Sequence, residues 1–156
     1  GSVEQEHVDA VRETWMEERF ISKVANLRDH KKMVLYALVT LDATESLPAR
    51  SQAVYDRYAT LCKEDGIDPL TIRTVRKFLS DFSTEDIVSV TEHHTADGNY
   101  REYVLNPHME LLIEALQDYI LDVGIHDSVR HFLTDGQYRE EQDTIPDHVF
   151  RTHRNE

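Results

Sequence analysis

Arg73, Arg76, Lys77 and Ser80 stand at i, i+3, i+4 and i+7, the spacing that lines side chains along one face of an α-helix. Thr71 and Thr74 open the same segment. Guanidinium and ammonium groups arranged this way neutralise phosphates, and an arginine can bond guanine O6 and N7 as a bidentate pair, for about 1–3 kcal/mol of discrimination. Backbone N–H groups and hydroxyls at a helix start suit a phosphate as well. No acid interrupts residues 69–80. On an isolated helix the same stripe is better explained as a solvated face, so the surrounding elements must decide.

A second candidate group is Asn99, Tyr100 and Arg101, which follow Gly98. Arg101 there could reach a minor groove or a backbone phosphate, although Asp97 and Glu102 flank the group. The nine histidines raise the question of a metal. His93 and His94 are adjacent in an extended segment and point to opposite faces. The others show neither HExxH nor paired Cys/His spacing, so no metal site is expected. There is no glycine-rich phosphate loop, no GxSxG and no cysteine beside a plausible base, and no catalytic or cofactor-binding residue is assigned.

The elements that would position these residues read as follows. Residues 3–25 form an amphipathic helix with Val8, Val11, Trp15, Phe20 and Val24 at helical spacing. Asp29 caps a second helix running to Ala43, with Val34, Ala37, Leu38 and Leu41 as its buried stripe. Ser51 caps a third, with Val54, Tyr58 and Leu61 inward and Asp56, Arg57 and Lys63 outward, and Asp65-Gly66 ends it. Asp68-Pro69-Leu70-Thr71 is a tight turn, with Thr71 capping the helix 71–83, whose inner face is Ile72, Val75, Leu79 and Phe82. The β-type segments Ile87–Thr91 and Tyr100–Leu105 follow, joined through a tip at Ala96-Asp97-Gly98-Asn99, with His93-His94 at the stem. One long helix is expected after Pro107, with Leu111, Leu112, Ala115, Leu116 and Tyr119 inward, then a short helix between Ile125 and Leu133. Residues 134–156 read as polar and loosely ordered. The result is a mainly α fold with a small β-hairpin, a winged helix-turn-helix in which helix 71–83 faces the DNA major groove.

A chain of 156 residues suits one domain with peripheral segments. The expected division is 1–26, 27–123 as the winged helix, and 124–156 as a C-terminal extension. Gly1-Ser2 reads as the remnant of a cleaved tag. No apolar run approaches the roughly 18 residues of a membrane span, and the lone Cys62 reads as a buried small residue, so a cytoplasmic protein without a membrane partner is expected. The net charge is −13, with 17 Lys+Arg against 30 Asp+Glu. More than half of the excess lies in residues 106–156. Few lysines and many acids point to a halophilic source, and the surroundings are acidic while helix 71–83 stays basic.

The blocks Lys31-Lys32-Met33-Val34-Leu35-Tyr36-Ala37-Leu38, Val54-Tyr55, Tyr58 with Leu61-Cys62, Gly66-Ile67-Asp68-Pro69-Leu70-Thr71 and Arg73 to Phe82 resemble the C-terminal region of archaeal Orc1/Cdc6 replication initiators. The leading helix, with Glu6-His7-Val8, resembles the last helix of that family's ATPase lid, and the resemblance covers residues 3–121. It implies replication initiation through double-stranded origin DNA, with Thr71, Arg73, Thr74, Arg76 and Lys77 as recognition-helix contacts, Gly98 to Arg101 as the wing, and the replicative helicase as a further partner. It also implies that ATP and Mg belong to an upstream module, so that this fragment is no enzyme and needs no cofactor. Family wings are often basic, whereas Thr95 to Tyr100 carries no basic residue beyond the two histidines before it. The extension after Val123 finds no counterpart in the resemblance. These departures leave room for a paralogue that binds DNA poorly and for an alternative, a protein-interaction module contacting the helicase or the initiator's own ATPase domain.

Overall fold

The structure is a computed structural model and describes residues 16–134. Residues 1–15, with Val8, Val11 and Trp15 of the expected leading helix, and residues 135–156, expected to be loosely ordered, lie outside the described residues. The leading helix is seen over 16–25 (α1), where Val24 is buried and Phe20 half-buried.

The second helix, α2 (Asp29–Ala43), is the centre of the molecule. The expected stripe of Val34, Ala37, Leu38 and Leu41 is buried, but so is every residue from Met33 to Leu41. No face is left for solvent because the helices at 51–64, 72–84, 109–115 and 117–123 and the strand at 98–105 all pack against it. Its one buried polar side chain, Thr40, is satisfied. The Thr40 hydroxyl donates to the Ala37 carbonyl and accepts from Arg57 Nη1 at 2.9 Å. Arg57, expected to point outward, is therefore half-buried and bridges two helices, and burial lowers its pKa from the ordinary guanidinium value.

Two expected caps are corrected. Asp29 and Ser51 are the first residues of their helices rather than the caps. Arg28 and Arg50 take the cap positions in extended conformation, without side-chain capping bonds. Asp29 instead places a carboxylate in the first turn, where the helix dipole favours it. The third helix, α3 (Ser51–Glu64), buries Val54, Tyr58, Ala59, Leu61 and Cys62. It ends as expected at Gly66, at φ +71°, where Ile67 N–H bonds the Cys62 carbonyl and Gly66 N–H the Lys63 carbonyl. Only a residue tolerant of left-handed backbone closes a helix in this way.

Helix α4 (Ile72–Thr84) is capped by Thr71, whose Oγ1 accepts from Thr74 N–H at 3.3 Å. Val75, Leu79 and Phe82 are buried and Ile72 half-buried. Ala49–Arg50 (β1) was not anticipated. It joins β2 (Val88–Thr95) and β3 (Gly98–Leu105) in an antiparallel sheet of order β1-β3-β2. The hairpin ladder runs from Val88↔Leu105 to Thr95↔Gly98, so the turn is Ala96-Asp97. Asn99 therefore belongs to a strand, and His93-His94, expected at the stem, lie next to the tip opposite Tyr100 and Asn99.

The long helix expected after Pro107 is broken into α5 (Met109–Ala115) and α6 (Gln117–Val123) at Leu116, where φ is −98° and ψ 6°. The bend lets both halves pack on α2. Leu112, Ile113, Ala115, Leu116, Tyr119, Ile120 and Val123 are buried, whereas Leu111, expected inward, is half-buried. A 3-10 turn (Asp127–Val129) and α7 (Arg130–Thr134) replace the short helix expected there. They bury Val129 and Leu133, after Ile125. The Tyr36 hydroxyl fastens this segment to the core, donating to the Gly124 carbonyl at 2.8 Å and accepting from His126 N–H at 2.7 Å.

Candidate nucleic-acid interface

The division of α4 into two faces follows from its sequence. Apolar side chains at 75, 79 and 82 seal the core, and this leaves Arg73, Arg76, Lys77 and Ser80 all exposed on the outward side. Thr71 is exposed and Thr74 half-buried at the amino end, with their hydroxyls 3.1 Å apart. The Arg73 and Lys77 side chains make no hydrogen bond or ion pair with another described residue. Arg76 Nε donates to Ser51 Oγ at 3.3 Å, tying α4 to the start of α3. The acids that follow on α4 do not offset this stripe. Asp81 is 3.0 Å from Lys31 Nζ and Glu85 is 2.6 Å from Lys23 Nζ, so each is paired with a lysine of another helix.

The turn before α4 is held from below. The Tyr58 hydroxyl, on a fully buried side chain, accepts from Leu70 N–H at 2.9 Å and shares a 2.7 Å hydrogen bond with His30 Nδ1. Tyr55 donates to the Leu70 carbonyl at 2.9 Å. Two tyrosines from α3 thus fix both peptide groups of Leu70, immediately ahead of the Thr71 cap. Burial pushes the Tyr58 hydroxyl far above the ordinary phenol range, so it stays protonated and keeps both roles.

At the other end of α4 the hairpin is set by Asn106. Its amide Nδ2 donates to the Asp86 carbonyl at 2.9 Å, its Oδ1 accepts from Ser89 Oγ at 2.7 Å, and its backbone N–H bonds the Ile87 carbonyl at 3.0 Å. Asp86 is at φ +62°, so the chain leaves the helix sharply there. No periodic pattern singles out an asparagine at this place, and sequence reasoning passed over it.

The hairpin separates residues that the sequence groups together. Asn99 and Arg101 lie on the sheet face continuous with buried Tyr103, and Tyr100 lies on the opposite face. Arg101 is spent within the wing, since its Nε and Nη2 both reach Glu92 Oε1 at 3.1 Å across the ladder. Tyr100 stacks on His93, with ring centroids 4.7 Å apart and planes at 16°. From the neighbouring strand on the other side, the Arg50 guanidinium carbon lies 3.6 Å from the Tyr100 ring centroid. Sequence reasoning missed Arg50, because a strand of two residues leaves no pattern. Among the described residues, no group of three or more His, Cys, Asp or Glu could hold a metal ion.

Comparison with known proteins agrees with the winged-helix fold. The family described as "CDC6, C terminal winged helix domain" matches residues 22–115. ORC1-type DNA replication protein 2 of Haloarcula marismortui is 38% identical over 137 residues, which cover 86% of this chain and 33% of that protein. ORC1-type DNA replication protein 10 of Halobacterium salinarum is 33% identical over 123 residues, covering 77% of this chain and 30% of that protein. A solved structure of the Aeropyrum pernix ORC1 protein in complex with DNA superposes with a TM-score of 0.67 at 27% identity, over 72% of this chain and 30% of that one. The chain thus spans about a third of the length of the relatives it matches. Relatives from salt-loving archaea accord with its acid-rich, lysine-poor composition.

Proposed function

We propose, from the premise that this chain belongs to the family of Cdc6 C-terminal winged-helix domains, that it binds duplex DNA with α4 in the major groove and the hairpin along the minor groove or backbone. The observation that carries the proposal is the outward face of α4. In a chain of net charge −13, Arg73, Arg76, Lys77 and Ser80 are exposed together, and the nearby acids Asp81 and Glu85 are paired elsewhere. Thr71 and Thr74 would meet a phosphate at the helix start, and the wing would add Asn99, Tyr100 and Arg101. The likeness to an ORC1 protein solved in complex with DNA supports a DNA-binding role.

Within a longer initiator this domain would hold origin DNA while an upstream module uses ATP and Mg²⁺, and recruitment of the replicative helicase would follow. A second reading, docking on the helicase or on the initiator's own ATPase module, has one specific support. Glu110 and Glu114 on α5 and Asp118 and Asp122 on α6 are all exposed, so both helices turn acids to solvent.

The test is binding of the 156-residue chain to labelled origin-like and scrambled duplexes across a salt series. Tighter binding to the origin duplex, lost in Arg73→Ala/Arg76→Ala, is the expected result. Each phosphate contact removed lowers the log–log salt slope by about 0.9. Equal affinity of wild type and double variant would refute the assignment of α4.

A further inference from the structure

We infer that Arg50 is an additional DNA-backbone contact, placed between α4 and the wing and held in position by Tyr100. The inference rests on the DNA-binding reading and extends it to a residue outside both the helix and the hairpin.

Three observations support it. Arg50 is exposed, yet its side chain does not hang free, because the guanidinium lies 3.6 Å over the Tyr100 ring. Stacking by its face leaves the edge donors of a guanidinium available, the geometry that suits a bidentate phosphate. Arg50 also has no carboxylate within ion-pair distance among the described residues. Its cross-strand partner Glu102 lies 2.8 Å from His93 Nε2 instead. Lys23, Lys31 and Arg101, by contrast, are each matched to an acid.

The third observation is location. Arg50 immediately precedes Ser51, whose hydroxyl accepts from Arg76 of the α4 stripe, and β1 is hydrogen-bonded to β3 of the wing. Arg50 and Arg76 therefore belong to one continuous surface, which runs from the helix proposed for the major groove to the hairpin. A duplex laid along that surface passes its backbone over Arg50. Tyr100 then acts as a positioning residue. With Arg50 on one side and His93 on the other, its ring is a platform rather than a wedge between bases.

The experiment compares wild type, Arg50→Gln, Tyr100→Phe, Tyr100→Ala and Arg50→Gln/Tyr100→Ala in duplex binding across salt, with Arg73→Ala/Arg76→Ala as reference. Arg50→Gln is expected to weaken binding about three- to tenfold, the size of one charged hydrogen-bonding contact, and to lower the salt slope by about 0.9. Tyr100→Phe keeps the ring that holds Arg50 and should weaken binding less than Tyr100→Ala. Tyr100→Ala should weaken binding, and the loss in the double variant should be smaller than the two single losses combined. Thermal melting of each variant separates these effects from loss of fold. Wild-type affinity and slope in Arg50→Gln, with the α4 variant impaired, would overturn the role of Arg50 and leave the DNA-binding reading intact. Failure of wild type to bind any duplex would overturn both.

Discussion

Glu92 holds Arg101 directly across the hairpin ladder, one carboxylate oxygen accepting from Nε at 3.1 Å and lying 3.1 Å from Nη2. Both side chains are more than half exposed, and exposed pairs of this kind contribute about 0.2–1 kcal/mol. The pair is therefore easily exchanged for a phosphate. Glu92→Gln should release the arginine and tighten duplex binding about two- to fivefold with a steeper salt dependence, while leaving the melting temperature nearly unchanged. Fluorescence anisotropy on a labelled duplex measures it, and an unchanged affinity would place Arg101 away from DNA.

Thr71 allows stability and binding to be separated at one position. Thr71→Ala removes the acceptor of Thr74 N–H and should cost about 1 kcal/mol in denaturant unfolding. Thr71→Asp restores the cap, and its carboxylate suits the helix dipole. It should therefore unfold like wild type while binding DNA more weakly, because the added charge meets a phosphate. Undiminished binding by Thr71→Asp would remove the amino end of α4 from the interface.

Tyr58→Phe leaves Leu70 N–H without its acceptor and should destabilise the chain by about 1–3 kcal/mol. The pH dependence has a definite sign. Burial raises the folded-state pKa of Tyr58 above its unfolded value, so the folded chain favours the protonated phenol. That contribution is complete below a pH of about 10, the unfolded phenol value, and is lost as pH rises beyond it. Urea titrations at increasing alkaline pH should show the decline in wild type and a shallower one in Tyr58→Phe.

Asn106→Ala should free the root of the wing from α4. Losing the bonds to Asp86 and Ser89 should cost about 0.5–1.5 kcal/mol. It should also speed amide exchange in β2 and β3 more than in α2. Equal protection of the hairpin amides in both proteins would show that the Ala49–Arg50 pairing alone holds the sheet.

The parts of this fold that were legible in the sequence are those set by local rules. Thr71, the apolar residues of α4 and Gly66 are fixed by interactions a few residues apart, and each lies where spacing places it. The cationic stripe was legible for the same reason, because the faces of a helix are a property of its own sequence. What escaped depends on contacts distant in the chain. β1 exists only because Ala49 and Arg50 pair with Tyr103 and Glu102. The break at Leu116 and the burial of α2 on all sides depend on what packs around them. Alternation within β3 was available in the sequence, and it would have placed Tyr100 and Arg101 on opposite faces. A tip drawn two residues too long, through Asn99, hid the pairing that assigns each face its neighbours.

The same alternation limits how a wing of this kind can vary among related proteins. Strand residues change sides with every position, and the Thr95↔Gly98 closure fixes the phase for the whole ladder. A length change in either arm that preserves pairing toward the root but shifts the phase beyond it by one residue would exchange the Tyr100 surface for the Arg101 surface. A change of two would leave both where they are. Two relatives with near-identical wing sequences would thus offer a duplex opposite sides of the hairpin, with the parity of an insertion, rather than its composition, deciding which.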